Sequence, residues 1–352
     1  MGNLVKYILS ILIFIIFPLY LFAASPSAQE EIDLANSLHK QANYYSNKRE
    51  YEKAEPLFIR SIEILEKVFD PKHPAVATIL SNLGLLYKRQ FRFDEAEQLL
   101  KRSITIFEEA FGNEQHKLAI TFMRLGLVYG GKGLYAAAVE TTKRSLEIFE
   151  KHYGADHTFV ANSLNNLAYF YIEQGRFAEG EPLYKRSLDI YERALGGNHP
   201  RVALSLMNLA NLYQKMGLLD KAIPFHESSL AINEKAYGKD HPKVAHSLNN
   251  FGILLNDMAR YAEAEKFHKR SLAIREKAYG NDHPDIASSL GNLGIIYLKQ
   301  GLYDKAEIMF KRSLKIAEII LGSDHPDFAR TLLNLGLTYN DQGRYEEAEQ
   351  LY

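Results

Sequence analysis

Residues 283–324 read HPDIASSLGNLGIIYLKQGLYDKAEIMFKRSLKIAEIILGSD, and this stretch recurs along the chain with a period of 42 residues. Shifting the sequence by one period aligns like residues over almost its whole length. Glycine recurs near the end of the unit, at 112, 154, 196, 238, 280 and 322. The His-Pro pair recurs at His73, His199, His241, His283 and His325. Self-similarity at such a period predicts a stack of repeated structural units.

Each unit has the hydrophobic pattern of two amphipathic helices. Pro284 suits the first turn of a helix, where its missing N–H would have no partner, and Gly294 leaves room for a close neighbour. Neither helix can bury its apolar face alone, so we expect each unit to be stabilised by its neighbours. The first apolar stripe is Ile286, Leu290, Leu293 and Tyr297, and the second is Tyr303, Ala306, Phe310, Ser313 and Ala317.

The order Leu83-Gly84, Tyr87, Phe93 and Ala96 resembles the tetratricopeptide repeat (TPR). The 42-residue form, with HPxVAxSLNNLAxLY and KRSLxIxEKxxG, is similar to the repeats of kinesin light chain and nephrocystin-like proteins. The resemblance implies an all-α, right-handed TPR solenoid of tandem helix-turn-helix repeats. It also implies that first-helix residues line a concave groove for peptide segments of partner proteins. We assign residues 32–352 to about seven and a half repeats, the last one truncated.

Composition and motifs argue against several classes of function. The 352 residues carry 42 basic and 43 acidic side chains, which gives no reason to expect binding to nucleic acid or to an anionic membrane surface. The absence of cysteine excludes disulfides, thiolate metal sites and cysteine nucleophiles. The sequence has no phosphate-binding glycine loop after a strand, no HExxH motif and no nucleophile elbow. We therefore predict a protein that is not an enzyme and has no cofactor or metal.

Residues 1–25 differ from the repeats. Lys6 is the only charge, and an apolar run extends from Tyr7 to Ala24. This pattern is typical of a secretory signal peptide, but the run is also long enough to span a bilayer as an uncleaved anchor. Both alternatives place the repeats outside the cytoplasm, either periplasmic or secreted after cleavage, or anchored to the membrane. Residues 26–31 are predicted to be a short polar linker.

The sharpest candidate site is a row of polar residues just before Leu-Gly or Leu-Ala on the first helices, here called the asparagine row. Amides spaced one per repeat can hydrogen-bond an extended peptide, whose backbone offers donors and acceptors at regular intervals. Alternatively, the amides tie one repeat to the next or satisfy backbone groups. The row comprises Asn82, Arg124, Asn166, Asn208, Asn250, Asn292 and Asn334, and the flanking candidates are Asn165, Tyr169, Asn211, Asn249, Lys215 and Lys299.

Two other recurrent motifs are predicted to be structural. Lys-Arg-Ser recurs on the second helices, as at 311–313, and glutamates such as Glu318 balance its charge on a solvated outer face. The histidines lie one repeat apart, too far for shared coordination of a metal ion. Asp282-His283-Pro284 and its counterparts indicate helix starts instead.

Two local features depart from the regular pattern. Gly130-Gly131-Lys132-Gly133 predicts a loose, flexible turn between two helices. The last repeat stops at Tyr352, halfway down its second helix, so we expect an apolar flank near Leu337, Leu351 and Tyr352 to be partly uncovered. Either the sequence is a fragment, or another chain completes this interface.

These observations predict a non-catalytic, exported scaffold whose concave face binds a peptide or helix of a partner protein. One alternative is a structural cell-envelope scaffold that self-associates through its uncapped C-terminal end. The other is an accessory regulatory subunit of an envelope enzyme.

Overall fold

The computed structural model describes residues 26–112, 116–323 and 325–352, so the predicted signal or anchor at residues 1–25 lies outside the described residues. Helices joined by short turns make up these ranges, which contain no strand. No helix within them is long and apolar enough to cross a membrane. The predicted all-α class is confirmed.

The chain divides into two compact units, and unit 1 ends at Gln174. Within each unit, first helices pack against the second helices that follow them, and several first helices of neighbouring repeats also touch. Residues 26–31, predicted to be a linker, form the start of a helix, in which Gln29 Nε2 donates to Asp33 Oδ1 at 3.0 Å. The helices are α1 Pro26–Asn47, α2 Tyr51–Val68, α3 Pro74–Arg89, α4 Phe93–Phe111, α5 His116–Gly131, α6 Tyr135–Tyr153 and α7 Thr158–Glu173.

Unit 2 begins at Gly175 and repeats the same arrangement. Its core consists of clusters that join adjacent hairpins, such as the one in which Leu293, Phe310 and Leu335 pack together. The helices are α8 Phe177–Leu195, α9 Pro200–Lys215, α10 Leu219–Tyr237, α11 Pro242–Asp257, α12 Tyr261–Tyr279, α13 Pro284–Lys299, α14 Tyr303–Leu321, α15 Pro326–Asp341 and α16 Tyr345–Leu351.

A serine on the second helix joins the two helices of a hairpin. The Ser103 hydroxyl donates to the Ala77 carbonyl oxygen at 2.7 Å, and both residues are fully buried. Because both residues recur with the repeat, the bond recurs in several hairpins and satisfies the buried hydroxyl there. Equivalent bonds join Ser61 to Ala35, Ser229 to Ala203, Ser271 to Ala245 and Ser313 to Ala287.

A glycine on the first helix lets the second helix approach closely. A Cβ atom on Gly294 would lie 2.5 Å from Phe310 Cε1, and one on Gly84 would lie 2.8 Å from Leu100 Cγ. Atoms at these distances overlap, so only glycine fits without a shift of the neighbour. The predicted close approach at Gly294 is confirmed.

Histidine caps the start of five described first helices. His283 Nδ1 accepts a hydrogen bond from Asp285 N at 3.1 Å, which satisfies one of the free N–H groups of the first turn. The Tyr279 ring stacks on the imidazole with ring centroids 4.2 Å apart. The predicted role of these histidines as helix starts is confirmed. The same caps occur at His73, His157, His199 and His241.

The Lys-Arg-Ser motif forms ion pairs on the outer face. Lys311 pairs with Glu307 on its own helix at 2.7 Å, and Arg312 pairs with Glu276 of the preceding second helix at 2.7 Å. The Tyr339 hydroxyl donates to Glu307 Oε1 at 3.1 Å. Such partly exposed pairs each contribute about 0–1 kcal/mol. The predicted charge balance of this face is confirmed.

The glycine-rich stretch at 130–133 differs from its prediction. Gly130 and Gly131 belong to α5, which ends at Gly131. A Cβ atom on Gly131 would lie 2.5 Å from Phe93 Cε1, and one on Gly130 would collide with the Phe170 ring. The prediction of a loose turn is therefore wrong. These glycines leave space for aromatic rings of neighbouring helices.

Candidate functional site

In unit 1, the asparagine row is bonded back to the preceding first helix. Asn82 Nδ2 lies 2.6 Å from His39 Nε2, and Arg124 Nη1 donates to Ser81 Oγ at 2.7 Å. Each bond spans 43 residues, one repeat and one position. Asn82, Arg124 and Asn166 are all half-buried, so they keep part of their side chains at the surface.

In unit 2, the row follows the same rule. Asn250 Nδ2 donates to Met207 Sδ at 3.0 Å, and Asn292 Nδ2 donates to Asn249 Oδ1 at 2.9 Å. Asn208, Asn250, Asn292 and Asn334 are half-buried. The amides at these two steps thus tie neighbouring repeats together, and the ties fix the orientation of side chains that remain partly accessible.

Asn249 requires a correction as a candidate binding residue. Only 7% of it is exposed, and its Oδ1 atom accepts the bond from Asn292. A partner protein would meet too little of this side chain to bind it. Asn249 is therefore a residue that positions Asn292.

The remaining predicted residues differ in accessibility. Asn165 and Asn211 are half-buried, whereas Lys215 and Lys299 are exposed. Tyr169 is 44% exposed, and it lines a pocket in unit 1.

This pocket, here called the turn pocket, has a volume of about 740 Å³. It lies where the first helices of unit 1 end, and its walls combine aromatic rings with cations. Gly130 and Gly131 line it, and their counterparts one repeat earlier are Lys88 and Arg89, which also line it. The lining residues that matter below are Arg49, Lys88, Arg89, Phe91, Tyr169 and Phe170.

Two turn-pocket residues have an unusual backbone. Gly133, the counterpart of Phe91 one repeat later, has a φ of 73°, in the left-handed region that glycine adopts freely. Arg49 and Phe91 occupy this turn position with φ values of 63° and 62°. A side chain in this region costs about 1–2 kcal/mol. Phe91 is also 77% exposed, so burial does not offset that cost.

Sequence reasoning missed Arg49 and Phe91 as site residues. The signal was present, because aligning the repeats places both in the slot that holds glycine at 133, 175, 217, 301 and 343. The signal was a non-glycine residue at a turn position that most other repeats fill with glycine.

Positive charge accumulates beside the asparagine row in unit 1. Burial and the nearby Arg89 guanidinium lower the pKa of Lys88. Burial, together with Arg89, also lowers the pKa of Arg124 to about 10. Arg89 is held by donating to Ser46 Oγ at 2.9 Å. The cations thus repel one another, and an anion placed among them would relieve this repulsion.

The described residues contain no group of three His, Asp or Glu side chains arranged to hold a metal ion. What the first-helix surface offers is amides and hydroxyls for hydrogen bonds, cations for charge pairing, and aromatic rings for apolar contact. This combination is typical of surfaces that bind other macromolecules.

A family model described as Tetratricopeptide repeat matches residues 33–109, 159–224, 201–277, 248–319 and 285–352. No curated protein matches the chain. The solved structure of BtubC (BKLC) from P. vanneervenii is 26% identical, with a TM-score of 0.52, and the match covers 62% of this chain and 85% of that one.

Two further solved structures are similar. A putative kinesin light chain of Podosopora anserina, with nearly identical TPR-like repeats, is 25% identical, with a TM-score of 0.48 and coverage of 54% of this chain and 89% of that one. Rap protein complexed with Competence and Sporulation Factor is 19% identical, with a TM-score of 0.54 and coverage of 91% and 96%. The family match covers most of the sequence, and the chain belongs to the tetratricopeptide repeat family.

Proposed function

We propose that this chain is a protein-binding scaffold whose first-helix surface takes an extended segment of a partner protein. The observation that carries the proposal is the asparagine row: Asn250 and Asn292 are held in place by the preceding repeat and yet remain partly accessible. Polar groups fixed before binding lose little entropy on binding. Rap protein, whose fold is similar, is complexed with Competence and Sporulation Factor.

Hydrogen bonding to the peptide backbone would provide affinity with little dependence on sequence. An asparagine side chain has two N–H donors and a carbonyl acceptor. The bond from Asn292 to Asn249 uses one donor and leaves the other groups of Asn292 for a ligand. A segment that runs along the row would meet one amide per repeat, a regular arrangement suited to an extended chain.

A triple substitution tests the proposal. Replacing Asn208, Asn250 and Asn292 with Ala should reduce binding of peptides selected from a phage-displayed random library by about tenfold or more, because several hydrogen bonds are lost. The matched control replaces the exposed outer-face residues Lys235 and Lys315 with Ala and should leave binding unchanged. Circular dichroism should show unchanged helicity. Equal binding by both variants, or unfolding of the triple variant alone, would contradict the proposal.

Self-association through the last repeat is the second candidate. Leu337 and Tyr352 are 46% and 63% exposed, and apolar surface of this kind favours association. Light scattering distinguishes the two candidates. An assembly that dissociates when Leu351 and Tyr352 are replaced by Glu would support self-association. A monomer that captures peptides would support the scaffold. The accessory-subunit alternative uses the same binding and differs only in having an enzyme as partner.

We also propose export, on the basis of the charge and hydropathy of residues 1–25. Fractionation of cells that express the full chain tests this proposal. The chain should leave the cytoplasm, and deletion of residues 1–25 should retain it there.

A further inference from the structure

The turn pocket combines two costly features that the rest of the repeat pattern avoids. Arg49 and Phe91 hold left-handed backbone at successive repeats, where Gly133 and four other described turns have glycine. Phe91 is also 77% exposed. The third exception, Ala259, has a φ of 57°, belongs to unit 2 and does not line this pocket. Backbone strain and an exposed aromatic side chain at one pocket point to a role in binding.

The aromatic side of the pocket can hold an apolar group. Phe91 and Phe93 meet edge to face, with ring centroids 6.0 Å apart. Tyr169 and Phe170 form a second such pair at 5.5 Å. Gly130 and Gly131 let the Phe170 and Phe93 rings lie directly against α5 at the wall of the pocket. The cavity of about 740 Å³ has room for a large side chain of a partner and the backbone around it.

The charged side of the pocket is positive. Its charged lining residues are Arg49, Lys88 and Arg89, with no carboxylate among the residues that form the described walls. Within the described part of the chain, these three side chains take part in no ion pair, whereas nearby Arg92 pairs with Glu55 at 2.8 Å. An occupant with negative charge would therefore gain Coulomb energy without first breaking an ion pair at these three residues.

We propose that the turn pocket binds an acidic segment of a partner polypeptide, with one large apolar side chain among its aromatic rings and carboxylates facing Arg49, Lys88 and Arg89. The inference rests on the proposed scaffold function and assigns the chemistry of the ligand at one end of the binding surface. Rigid aromatic residues and arginines are the side chains that dominate binding energy at interfaces, which fits this combination.

The distribution of charge favours a polypeptide over a single-stranded nucleic acid. A nucleic acid carries one phosphate per nucleotide and needs cations along its whole path. Here the charged lining residues of the turn pocket are three, Arg49, Lys88 and Arg89, and Arg124 lies near Arg89. The net charge of the chain is −1, and many other lysines and arginines of the described part form ion pairs on the outer face, such as Lys311 and Arg312.

The decisive variant is Phe91→Gly in the full chain. Glycine is the residue that other repeats carry at this turn, so folding should be undisturbed or improved while the pocket loses its exposed ring. The matched control is Ala259→Gly, which relieves the same backbone conformation at the same position of a repeat without touching the pocket. A second variant, Lys88→Glu with Arg89→Glu, reverses the charge.

The measurement is selection of a phage-displayed random peptide library on the wild-type chain, followed by affinities of the selected peptides. We expect enrichment of sequences with Asp or Glu beside a large apolar residue. Phe91→Gly and the charge reversal should each weaken their binding by about tenfold or more, Ala259→Gly should leave it unchanged, and added salt should weaken it.

Three results would overturn the inference. Selected peptides could lack acidic residues, Phe91→Gly could bind them as tightly as Ala259→Gly does, or a thymidine oligonucleotide could bind the pocket more tightly than any selected peptide. Peptides that depend on Asn208, Asn250 and Asn292 but not on Phe91 would refute the pocket and leave the scaffold function standing. Failure to enrich any peptide would refute both.

Discussion

The two units are built from the same repeat, but they fill the space between their helices differently. At the second-helix position that packs against a small residue of the first helix, unit 1 has Phe58, Leu100 and Thr142, whereas unit 2 has Tyr184, His226, His268 and Phe310. Both histidines are 1% exposed. His226 stacks on Phe251 with ring centroids 5.6 Å apart. The repeat thus requires a side chain of suitable size at this position and accepts a polar one.

A second position shows the same difference. Unit 1 buries Leu65, Phe107 and Phe149 there, whereas unit 2 has Tyr191, Asn233, Arg275 and Ala317. Arg275 is 5% exposed. Arg275 donates to Ser289 Oγ at 2.6 Å and to the Asp285 carbonyl oxygen at 2.8 Å. Burial lowers its pKa, which means that the folded state disfavours its charge. At this position, unit 2 therefore carries a desolvation cost that unit 1 does not.

The largest expected effect is a difference in the free energy of unfolding between substitutions at this position in the two units. Phe107→Ala should destabilise the chain by about 3–5 kcal/mol, because it leaves a cavity in a fully packed interior. Arg275→Leu, which installs the residue of Leu65, should be neutral or stabilising by about 1–4 kcal/mol. Urea unfolding gives both values. A loss for Arg275→Leu as large as that for Phe107→Ala would show that the buried arginine stabilises unit 2.

The pH dependence of stability should come mainly from unit 2. Burial lowers the pKa of His226 and of His268 to about 4, and within the described residues His226 Nε2 and His268 Nδ1 have no hydrogen-bond partner. Since the unfolded histidine titrates near pH 6.5, the unfolded state binds more protons between pH 6.5 and 4. Stability is therefore complete above about pH 6.5 and should fall on acidification by up to about 1.4 kcal/mol per pH unit for each histidine.

Hydrogen exchange as a function of pH tests this difference. Amides of α10 and α12 should lose protection as the pH falls from 7 to 4, while those of α2 and α4 keep more of theirs. His226→Tyr with His268→Phe, which installs the residues found at Tyr184 and Phe310, should remove most of the effect. An unchanged pH profile in this double variant would contradict the assignment.

A smaller effect concerns the turns. Ala259→Gly and Phe91→Gly should each raise the free energy of unfolding, by about 1 kcal/mol or less net, because relief of left-handed strain is partly offset by the entropy of glycine in the unfolded chain. Thermal unfolding measures this gain. A fall in stability at either position would show that the side chain contributes packing that outweighs its strain.

The smallest effect is expected on the outer face. Arg102→Gln breaks the ion pair between Arg102 and Glu66. The Arg102 side chain is 42% exposed and the Glu66 side chain is 28% exposed. The loss should be about 0–1 kcal/mol and should decrease with added salt, because solvent screens the pair. A loss above about 2 kcal/mol in urea unfolding would mean that these pairs, rather than interior packing, hold neighbouring repeats together.

The regular features of the fold could be predicted from the sequence, because each of them occurs in several repeats. The period located the helices, the histidine caps and the close contact at Gly294. Exceptions to the repeat were harder to interpret. Gly130 and Gly131 indicated flexibility on local rules, and only the positions of Phe93 and Phe170 explain why glycine is required.

The candidate site was predictable in part. The position of the asparagine row could be predicted by aligning the repeats. The hydrogen bond between Asn292 and the buried Asn249 could not, because it depends on which amide faces the preceding helix. The turn pocket could not be derived from any single repeat. Its walls come from residues between Ser46 and Phe170, and their convergence is a property of the packing.

Hydrogen exchange of the full chain, with and without a peptide selected on it, tests most directly whether the first-helix surface is the binding surface. We expect slower exchange at amides of the first helices, around Arg49 and from Lys88 to Arg92, with no change within the second helices. Protection confined to the second helices, or no protection at saturating peptide, would contradict it.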